Sequence, residues 1–272
     1  MKQSNSIRAE LIVVKKEFIT PHYIRVFFKS NQIEELSQAT VGIHNKILIP
    51  PKGAIKILFP EYDDEQHQWK PQPENEKCIV RTYTHRGIDM NKREVWIDFV
   101  AHGDEGKASA WAISAQKGDI LGVIIRDGEV ELFPNVENYL LVGDATAIPV
   151  LSVILDSLPH TAKGVCIIEV HSSEDEQKLG TKANIEFVWL HNSQPHFGSE
   201  LAMKTKNLVL PNENRFAFIA AEFTVVKEIR QYLRKEKLWS REEVDAYSYW
   251  KKGAVEDKSA NERHNENAND SN

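Results

Sequence analysis

Residues 138–157 read NYLLVGDATAIPVLSVILDS, and this stretch decides the fold of the second half of the chain. Its first five residues, NYLLV, are typical of a buried strand, and residues 148–157 have the pattern of a helix. Gly143, Asp144, Ala145 and Thr146 separate the two. A strand, a short loop and a helix in this order form the repeating unit of a parallel sheet. We therefore predict an α/β fold around this stretch.

The same pattern continues towards the C-terminus. Further strands are predicted at residues 164–170, 185–190 and 215–220, and a helix is predicted at 223–237. Together these elements predict an α/β nucleotide-binding domain over residues 135–253. Residues 254–272 are polar with almost no apolar side chains, which is typical of a disordered tail.

The first half of the chain has a different pattern, with short apolar strands between clusters of Gly, Pro and Asn. The predicted strands are residues 7–14, 23–28, 46–50, 56–60, 78–84, 94–100 and 119–125. One helix, at 109–116, interrupts them. Strands at this spacing predict an antiparallel β-barrel or sandwich over residues 1–134, with a domain boundary near Pro134.

The composition argues against several classes of function. The 272 residues carry a formal net charge of −6, whereas a nucleic-acid-binding protein usually shows a basic excess. No stretch reaches the ~20 apolar residues of a membrane helix and no signal peptide is evident, so a cytoplasmic protein without a membrane partner is expected. Cys78 and Cys166 lie far apart and the histidines are scattered, so we expect no iron–sulfur, zinc or other metal site.

The hexapeptide RTYTHR, residues 81–86, ends one of the predicted strands. Thr and Tyr favour strands and arginines are well solvated, so a surface hairpin is one interpretation. The other is a site for a flat, phosphorylated cofactor. In such a site an arginine binds phosphate, the aromatic ring packs on the flavin and a hydroxyl reaches a ring nitrogen.

Two loops offer places for phosphate groups. DFVAHG at 98–103 leads through Gly106 to a helix that we expect to begin at Ser109, and the N–H groups of a helix N-terminus suit a pyrophosphate. An ordinary glycine turn with Ser109 as helix cap is the alternative. GDAT at 143–146 lies where parallel sheets bind nucleotides. It is not GxGxxG, however, and on its own a plain strand-to-helix loop is the better interpretation.

In this order, the motifs resemble those of the ferredoxin-reductase superfamily. Within it, the chain resembles the siderophore-interacting proteins, which are FAD-dependent ferric-siderophore reductases, over most of residues 7–253. The matching segments are RTYTHR (81–86), DFVAHGDEGKASAWA (98–112), KGDIL (117–121), VGDATAIP (142–149), AAE (220–222) and YSYWKKG (247–253). The resemblance implies an N-terminal FAD-binding β-barrel followed by an NAD(P)H-binding-like α/β domain.

The resemblance also implies which residues bind the cofactors. Arg81 would contact the FAD phosphates, Tyr83 would pack on the isoalloxazine, and Thr84 would bond near its reactive nitrogen. The other residues implied for FAD are Thr82, Asp98, Val100, His102, Gly103, Gly106, Lys107, Ala108 and Ser109. Those implied to border the nicotinamide are Gly143, Asp144, Thr146 and Glu222, and Trp250 would close over the flavin or near it. Because the flavin transfers the electrons, no catalytic side chain is expected.

Three positions depart from the family pattern. Lys107 stands where proline is usual, Ala145 where glutamate is usual, and Ala221 where glycine is usual. Ala145 and Ala221 fall on the nicotinamide side, so the resemblance supports NADH or NADPH as direct electron donor less well than it supports FAD. A reduced ferredoxin is the alternative donor. Carboxylates at 174–176 would favour NADH if they lay near the adenosine ribose, whereas Lys178 and Arg230 could reverse that preference.

The expected substrate is an anionic ferric siderophore, because catecholate and hydroxycarboxylate siderophores carry negative charge. Lys46, Lys56, Lys251 and Lys252 are candidates for binding it, although a solvated surface lysine is the better interpretation of each one alone. We therefore predict a monomeric FAD-dependent ferric-siderophore reductase. The alternatives are a non-catalytic siderophore-binding protein and a general NAD(P)H:flavin or ferredoxin-type reductase.

Overall fold

The computed structural model describes residues 6–101 and 106–253 of the chain. These residues divide into two compact units, with the division between Glu131 and Leu132. His102, Gly103 and the polar tail at 254–272, for which the sequence makes predictions, lie outside the described residues. In the two described ranges, no helix is long and apolar enough to cross a membrane.

The N-terminal unit is built on a seven-stranded sheet whose neighbouring strands are all antiparallel. From one edge to the other, its strands are β6 (Ile79–Thr84), β3 (His44–Ile49), β9 (Ile120–Arg126), β1 (Ser6–Thr20), β2 (Tyr23–Lys29), β8 (Glu94–Val100) and β7 (Gly87–Asp89). The unit also contains a small hairpin of β4 (Tyr62–Asp63) and β5 (Gln68–Trp69), and the helices α1 (Ile33–Leu36) and α2 (Lys107–Ser114).

This sheet curls, so that strands distant in the sheet order come together. Alternate residues of β1, such as Ala9 and Leu11, are buried on one face, and register shifts near Lys15 and Thr20 bend the strand. Tyr83 of β6 and Phe99 of β8 have ring centroids 4.7 Å apart, although four strands separate β6 from β8 in the sheet. The prediction of an antiparallel, barrel-type N-terminal half is confirmed.

The expected strand at residues 56–60 is wrong, because this segment is irregular. The Ile57 N–H donates to Glu10 Oε2 at 3.0 Å rather than to a neighbouring strand. Pro60 at the end of the segment has no N–H for a strand ladder. The Ile57 side chain packs with Leu48 and lies so close over Gly122 that a Cβ there would come within 2.6 Å of it. The segment therefore covers part of the outer face of the sheet.

Helix α2 begins two residues earlier than expected, so the predicted start at Ser109 is wrong. Gly106 is the N-cap, with an extended backbone, and Lys107 is the first helical residue. Ser109 is the third residue of the helix and is buried, so it is not the cap either. The glycine at the boundary lets the chain enter the helix without a side-chain cap.

The C-terminal unit is built on a five-stranded parallel sheet, so the predicted α/β half is confirmed. Its strands, from edge to edge, are β12 (Asn184–His191), β11 (Lys163–Val170), β10 (Asn138–Asp144), β13 (Arg215–Glu222) and β14 (Val244–Trp250). Its helices are α3 (Ile148–Ser157), α4 (Leu201–Lys206) and α5 (Phe223–Gln231), and a π-helical turn at Tyr232–Glu236 extends α5.

Two elements of this unit carry no clear signal in the sequence. Strand β14 mixes polar and aromatic residues, yet it pairs along β13 and buries Val244 in the core opposite Ala217. Helix α4 has only six residues, too few to show a helical period. Strand β14 matters for the site described below, because it carries most of the YSYWKKG segment to the edge of the parallel sheet.

Candidate functional site

The edge strand β6 carries most of RTYTHR, and its alternation divides the motif between two faces. Tyr83 lies opposite the buried Asn45 on β3, and Arg81 lies opposite the buried Ile47. Thr82 and Thr84 point the other way. The Arg81 guanidinium donates to the Val80 carbonyl at 2.7 Å and is half-buried. Arg81 and Tyr83, the residues implied for phosphate and flavin ring, therefore share one face.

A buried carboxylate organises the end of this motif. Asp98 has a fully buried side chain and accepts two hydrogen bonds from Arg25, at 2.7 and 2.8 Å. It also accepts one from the Tyr23 hydroxyl at 3.0 Å, and Arg86 lies 3.5 Å from it. Burial, and then the Asp98 charge, hold the pKa of Tyr23 well above its usual value. The network anchors Arg86, so the last residue of RTYTHR is structural, while a cofactor contact by Asp98 stays a prediction.

His85, next to Arg86, is also part of the core rather than an acid or base. Burial lowers its pKa to about 4, so the ring is neutral at physiological pH. Its backbone N–H donates to the Ile43 carbonyl at 2.9 Å, and its carbonyl accepts from Gly42 at 2.7 Å. These bonds fix the turn that follows Thr84, which is buried as well.

The second implied FAD element, the start of α2, is joined to Tyr83 through one aromatic residue. Phe99 is fully buried and its ring contacts both Tyr83, at 4.7 Å, and Trp111 of α2, at 5.8 Å. Trp111 also stacks on Phe28 at 6.2 Å. The structure thus brings together the predicted ring-binding strand and the predicted phosphate-binding helix. Of the other implied residues, Lys107 is exposed, Val100 is half-buried and Ala108 is buried.

In the C-terminal unit, Asp144 and Trp250 meet at the carboxyl edge of the parallel sheet. The Asp144 carboxylate accepts from the Thr146 N–H at 2.9 Å and from the Trp250 indole at 2.8 Å. Burial raises the pKa of Asp144 above its usual value, and the hydrogen bonds from Thr146 and Trp250 act against this. Gly143 allows the close packing here, since a Cβ would lie 2.5 Å from that of Ala147.

Glu222, at the end of β13, ties the C-terminal segment to the same edge. Its carboxylate caps α5 by accepting from the Thr224 N–H at 2.6 Å, and it also accepts from the Lys252 N–H at 3.2 Å. Lys251 Nζ lies 4.8 Å from the centre of the Phe223 ring. The edge therefore gathers the implied residues Asp144, Thr146, Glu222 and Trp250 with the two C-terminal lysines.

Sequence reasoning missed two aromatic residues at this edge. The His196 ring meets Trp250 edge-on at 5.6 Å, and Lys252 Nζ lies 5.7 Å from the centre of the exposed Phe197 ring. Both belong to a short 3-10 turn, Pro195–Phe197, which has no periodic signal. Pro195 favours a turn at this point, but nothing in the sequence indicates that the two rings reach the C-terminal segment.

Two family models match the chain. "Siderophore-interacting FAD-binding domain" matches residues 12–129, and "Siderophore-interacting protein" matches residues 136–253. Ferric vibriobactin reductase ViuB of Vibrio cholerae is 30% identical over 253 residues, which is 92% of each chain. The NADPH-dependent ferric-chelate reductase of Escherichia coli is 26% identical over 244 residues, 89% of this chain and 92% of that one.

A solved structure agrees with these relatives. The siderophore-interacting protein SipS from Aeromonas hydrophila is 27% identical, with a TM-score of 0.79. The match covers 95% of this chain and 97% of that one, so both units have their counterparts in a single related protein.

Proposed function

The chain belongs to the siderophore-interacting protein family, and from that premise we propose that it is a FAD-dependent reductase of ferric siderophores. One observation carries the proposal: Phe99 holds together the Tyr83 ring and helix α2, the two elements that a flavin and its diphosphate require. The names of the two curated relatives, a ferric vibriobactin reductase and a ferric-chelate reductase, support the same reaction.

The residues of the N-terminal unit fit FAD. The N-cap of α2 is Gly106, which has no side chain to occupy the N–H groups of the first turn, and Lys107 adds a positive charge there. Arg81 and Tyr83 are half-buried on the same face of β6, so each keeps part of its surface available. We assign the diphosphate to the start of α2 and Arg81, and the flavin ring to Tyr83. The Thr84 side chain is buried on the other face of β6, so we do not assign the ring contact to it.

FAD, when bound, supplies the electron transfer that converts chelated Fe(III) to Fe(II), which the siderophore holds less tightly. The protein positions the reactants and needs no nucleophile or general base. Because the substrate is an anionic chelate, Lys46 and Lys56 in the N-terminal unit, and Lys251 and Lys252 in the C-terminal unit, are proposed to attract it.

The electron donor is NADH, NADPH or a reduced ferredoxin, all of which would place the reaction in the cytoplasm. A relative is named as NADPH-dependent, which supports a dinucleotide. Two carboxylates of the acidic segment after β11 already have partners. Asp175 accepts from the Ser172 hydroxyl at 3.0 Å, and Glu176 lies 2.8 Å from the His191 ring nitrogen Nε2. Glu174 is exposed and is the carboxylate best placed to contact a free 2′-hydroxyl.

Anaerobic stopped-flow absorbance of the FAD-loaded protein tests the proposal. NADH, NADPH or a reduced ferredoxin is mixed in first and a ferric siderophore second. We expect rapid bleaching of the flavin band by one donor, followed by reoxidation that depends on the chelate. Reoxidation by small dyes without preference for iron chelates would favour a general flavin reductase. A protein that stays colourless when FAD is added would favour a siderophore carrier instead.

A further inference from the structure

The loop between β12 and α4, residues 192–200, holds a large apolar ring out in solvent. Phe197 is 86% exposed. A single exposed apolar side chain is common on protein surfaces, so exposure alone decides nothing. The position of this ring carries more information, because the loop leaves β12 at its carboxyl end. In open α/β sheets, ligands bind outside the carboxyl ends of the strands.

A buried carboxylate fixes the loop that carries this ring. Glu169, at the end of β11, is only 5% exposed, and one of its oxygens accepts from the Asn192 side-chain amide at 3.0 Å. The other oxygen accepts from the Ser199 hydroxyl at 2.9 Å and from the following backbone N–H at 3.2 Å. The Asn192 amide also donates to the Gly198 carbonyl at 2.7 Å. Because these bonds lie on both sides of Phe197 in the sequence, the loop is preorganised and little freedom is lost when a ligand meets the ring.

The loop after β11 leaves the sheet beside this one. Val170 and His191 form the last pair of β11 and β12, so the two loops start from adjacent strand ends. His191 Nε2 lies 2.8 Å from Glu176 Oε1, and this contact joins the loops. Glu174, the exposed carboxylate assigned above to a ribose hydroxyl, lies in the first loop. Strand ends lie about 4.8 Å apart, a distance that the base attached to that ribose spans, so Phe197 in the second loop is within reach of the base.

Positive charge lies beside the ring. Lys252 Nζ is 5.7 Å from the centre of the Phe197 ring, and the Glu222 carboxylate accepts the Lys252 N–H at 3.2 Å. His196 meets the Trp250 ring edge-on at 5.6 Å, so a second contact ties the loop to the C-terminal segment. An aromatic face beside a cation is the combination that binds a base and its phosphate.

We propose that Phe197 is the residue on which the adenine of a nicotinamide dinucleotide stacks, with Lys252 beside the phosphates and Glu169 as the positioning residue of the loop. The inference rests on the proposed reductase function and narrows its electron donor to a dinucleotide instead of a ferredoxin. Stacking suits a phenylalanine, because a base offers a flat π-face and the phenyl ring has no hydrogen-bonding group.

Calorimetric titration of ADP into the FAD-loaded full chain measures this subsite without electron transfer, because ADP has the adenine and the diphosphate but no nicotinamide. Phe197→Ala should raise the Kd for ADP about tenfold, the effect of losing one base–aromatic stack, and Phe197→Tyr should keep the parent value. Met203→Ala truncates an exposed apolar side chain on the next helix, α4. It is the matched control and should also keep the parent value.

Reduction of the flavin by two donors separates stacking from a general disturbance of the site. Reduced nicotinamide mononucleotide lacks the adenosine half of the dinucleotide. Phe197→Ala should therefore raise KM for the dinucleotide about tenfold and leave KM for the mononucleotide unchanged. Glu169→Gln should give the same split by loosening the loop. Ser199→Ala, which removes one hydrogen bond to Glu169, serves in its place where Glu169→Gln does not fold.

An unchanged Kd for ADP in Phe197→Ala would overturn the proposal, as would an equal rise in KM for both donors. A loss of FAD instead of ADP would also overturn it, since the ring would then serve the resident cofactor. If ADP did not bind at millimolar concentration while a reduced ferredoxin bleached the flavin, the adenine site would be refuted and the reductase function would stand. A protein that binds ADP through Phe197 but never reduces a ferric chelate would refute the reductase function and leave the adenine site standing.

Discussion

Asp98 is the single residue on which the end of the RTYTHR strand depends. Its fully buried carboxylate accepts hydrogen bonds from Arg25 and the Tyr23 hydroxyl and lies 3.5 Å from Arg86. Asp98→Asn would remove the buried counter-charge of both guanidinium groups and leave Arg25 with only the charge of Glu17 on the neighbouring strand. We expect the free energy of unfolding of the N-terminal unit to fall by about 3–5 kcal/mol, measured by urea denaturation.

Glu34→Gln is the control for this substitution. Glu34 pairs with Arg93 at 2.5 Å, but both side chains are more than half exposed, so solvent screens the pair. We expect no measurable change in its urea midpoint. If Asp98→Asn were equally silent, the Asp98 network would not be a structural anchor, and a cofactor role for Asp98 would become the better interpretation.

The Asp144–Trp250 pair predicts a pH dependence. Because the pKa of Asp144 is raised, the folded protein binds this proton more tightly than the unfolded chain. The free energy of unfolding should therefore fall as pH rises from the usual pKa near 4 to the raised value. Trp250→Phe removes a hydrogen bond that lowers this pKa, so the fall should extend to higher pH. At pH 7 we expect a further loss of about 1.5–3 kcal/mol.

Urea unfolding of the two proteins at a series of pH values between 4 and 8 provides the measurement. Trp239→Phe is the control, because the Trp239 indole N–H has no acceptor among the described residues. The substitution changes packing and the cation–π contact with Arg215, which keeps its charge throughout this pH range. That variant should be destabilised equally at every pH. A Trp250→Phe curve parallel to the parent curve would show that the hydrogen bond does not tune Asp144.

Single residues also show where the sequence was informative. RTYTHR and GDAT lie at the ends of strands β6 and β10, as predicted, because unusual combinations of polar and aromatic residues at strand ends are visible in one sequence. The partners of these residues were not visible. Arg86 was grouped with a cofactor motif, and only the fold reveals that it faces Asp98. His196 contacts Trp250, and Phe197 contacts Lys252, only through tertiary packing.

A charge can be introduced at the N-cap of helix α2 without straining the backbone. Gly106 has φ −88° and ψ 119°, a conformation that any residue can adopt. Gly106→Asp would cap the helix with its own carboxylate and place a negative charge where we assign the FAD diphosphate. We expect the Kd for FAD, measured by fluorescence titration, to rise about tenfold or more while the apo protein keeps its stability.

Gly106→Asn separates the two causes, because it offers a similar cap without the charge. Its effect on FAD affinity should be clearly smaller than that of Gly106→Asp. Equal affinities for FAD in both variants and the parent would mean that the diphosphate lies elsewhere.

At the level of elements, periodicity decided which predictions succeeded. Strands β10, β11 and β13 are largely continuous apolar runs, and α3 has a strong apolar pattern, so the sequence predicts all four elements. The predicted bounds of α3, residues 148–157, are those of the structure. Residues 56–60 (KILFP) differ from residues 46–50 (KILIP) at one position, yet only residues 46–49 lie in a strand. The difference comes from tertiary contacts. Glu10 accepts the Ile57 N–H in place of a strand partner, and the Ile57 side chain packs closely over Gly122.

The whole molecule consists of two compact units, and cofactor binding should act on one of them. A ligand that binds only the folded state raises the free energy of unfolding by about 2.7 kcal/mol at a concentration one hundred times its Kd. We expect scanning calorimetry to show FAD raising the transition of the N-terminal unit and leaving that of the C-terminal unit in place. Tyr83→Ala should reduce this shift, and Phe197→Ala should not.

A shift of both transitions by FAD would contradict the assignment of the cofactor to N-terminal residues alone. A shift that survives Tyr83→Ala in full would remove Tyr83 from the flavin site. Either result can be read directly, because the two substitutions lie in different units.

The alternation of β1 has a consequence for how this protein can evolve. Its inward residues, such as Leu11, are core residues whose truncation typically costs about 2–5 kcal/mol, whereas outward substitutions usually stay within about 0.5 kcal/mol. Arg8 and Arg126 occupy outward positions. Charges at these outward positions can therefore be exchanged one at a time, and the surface of this sheet can diverge between relatives without rebuilding the core.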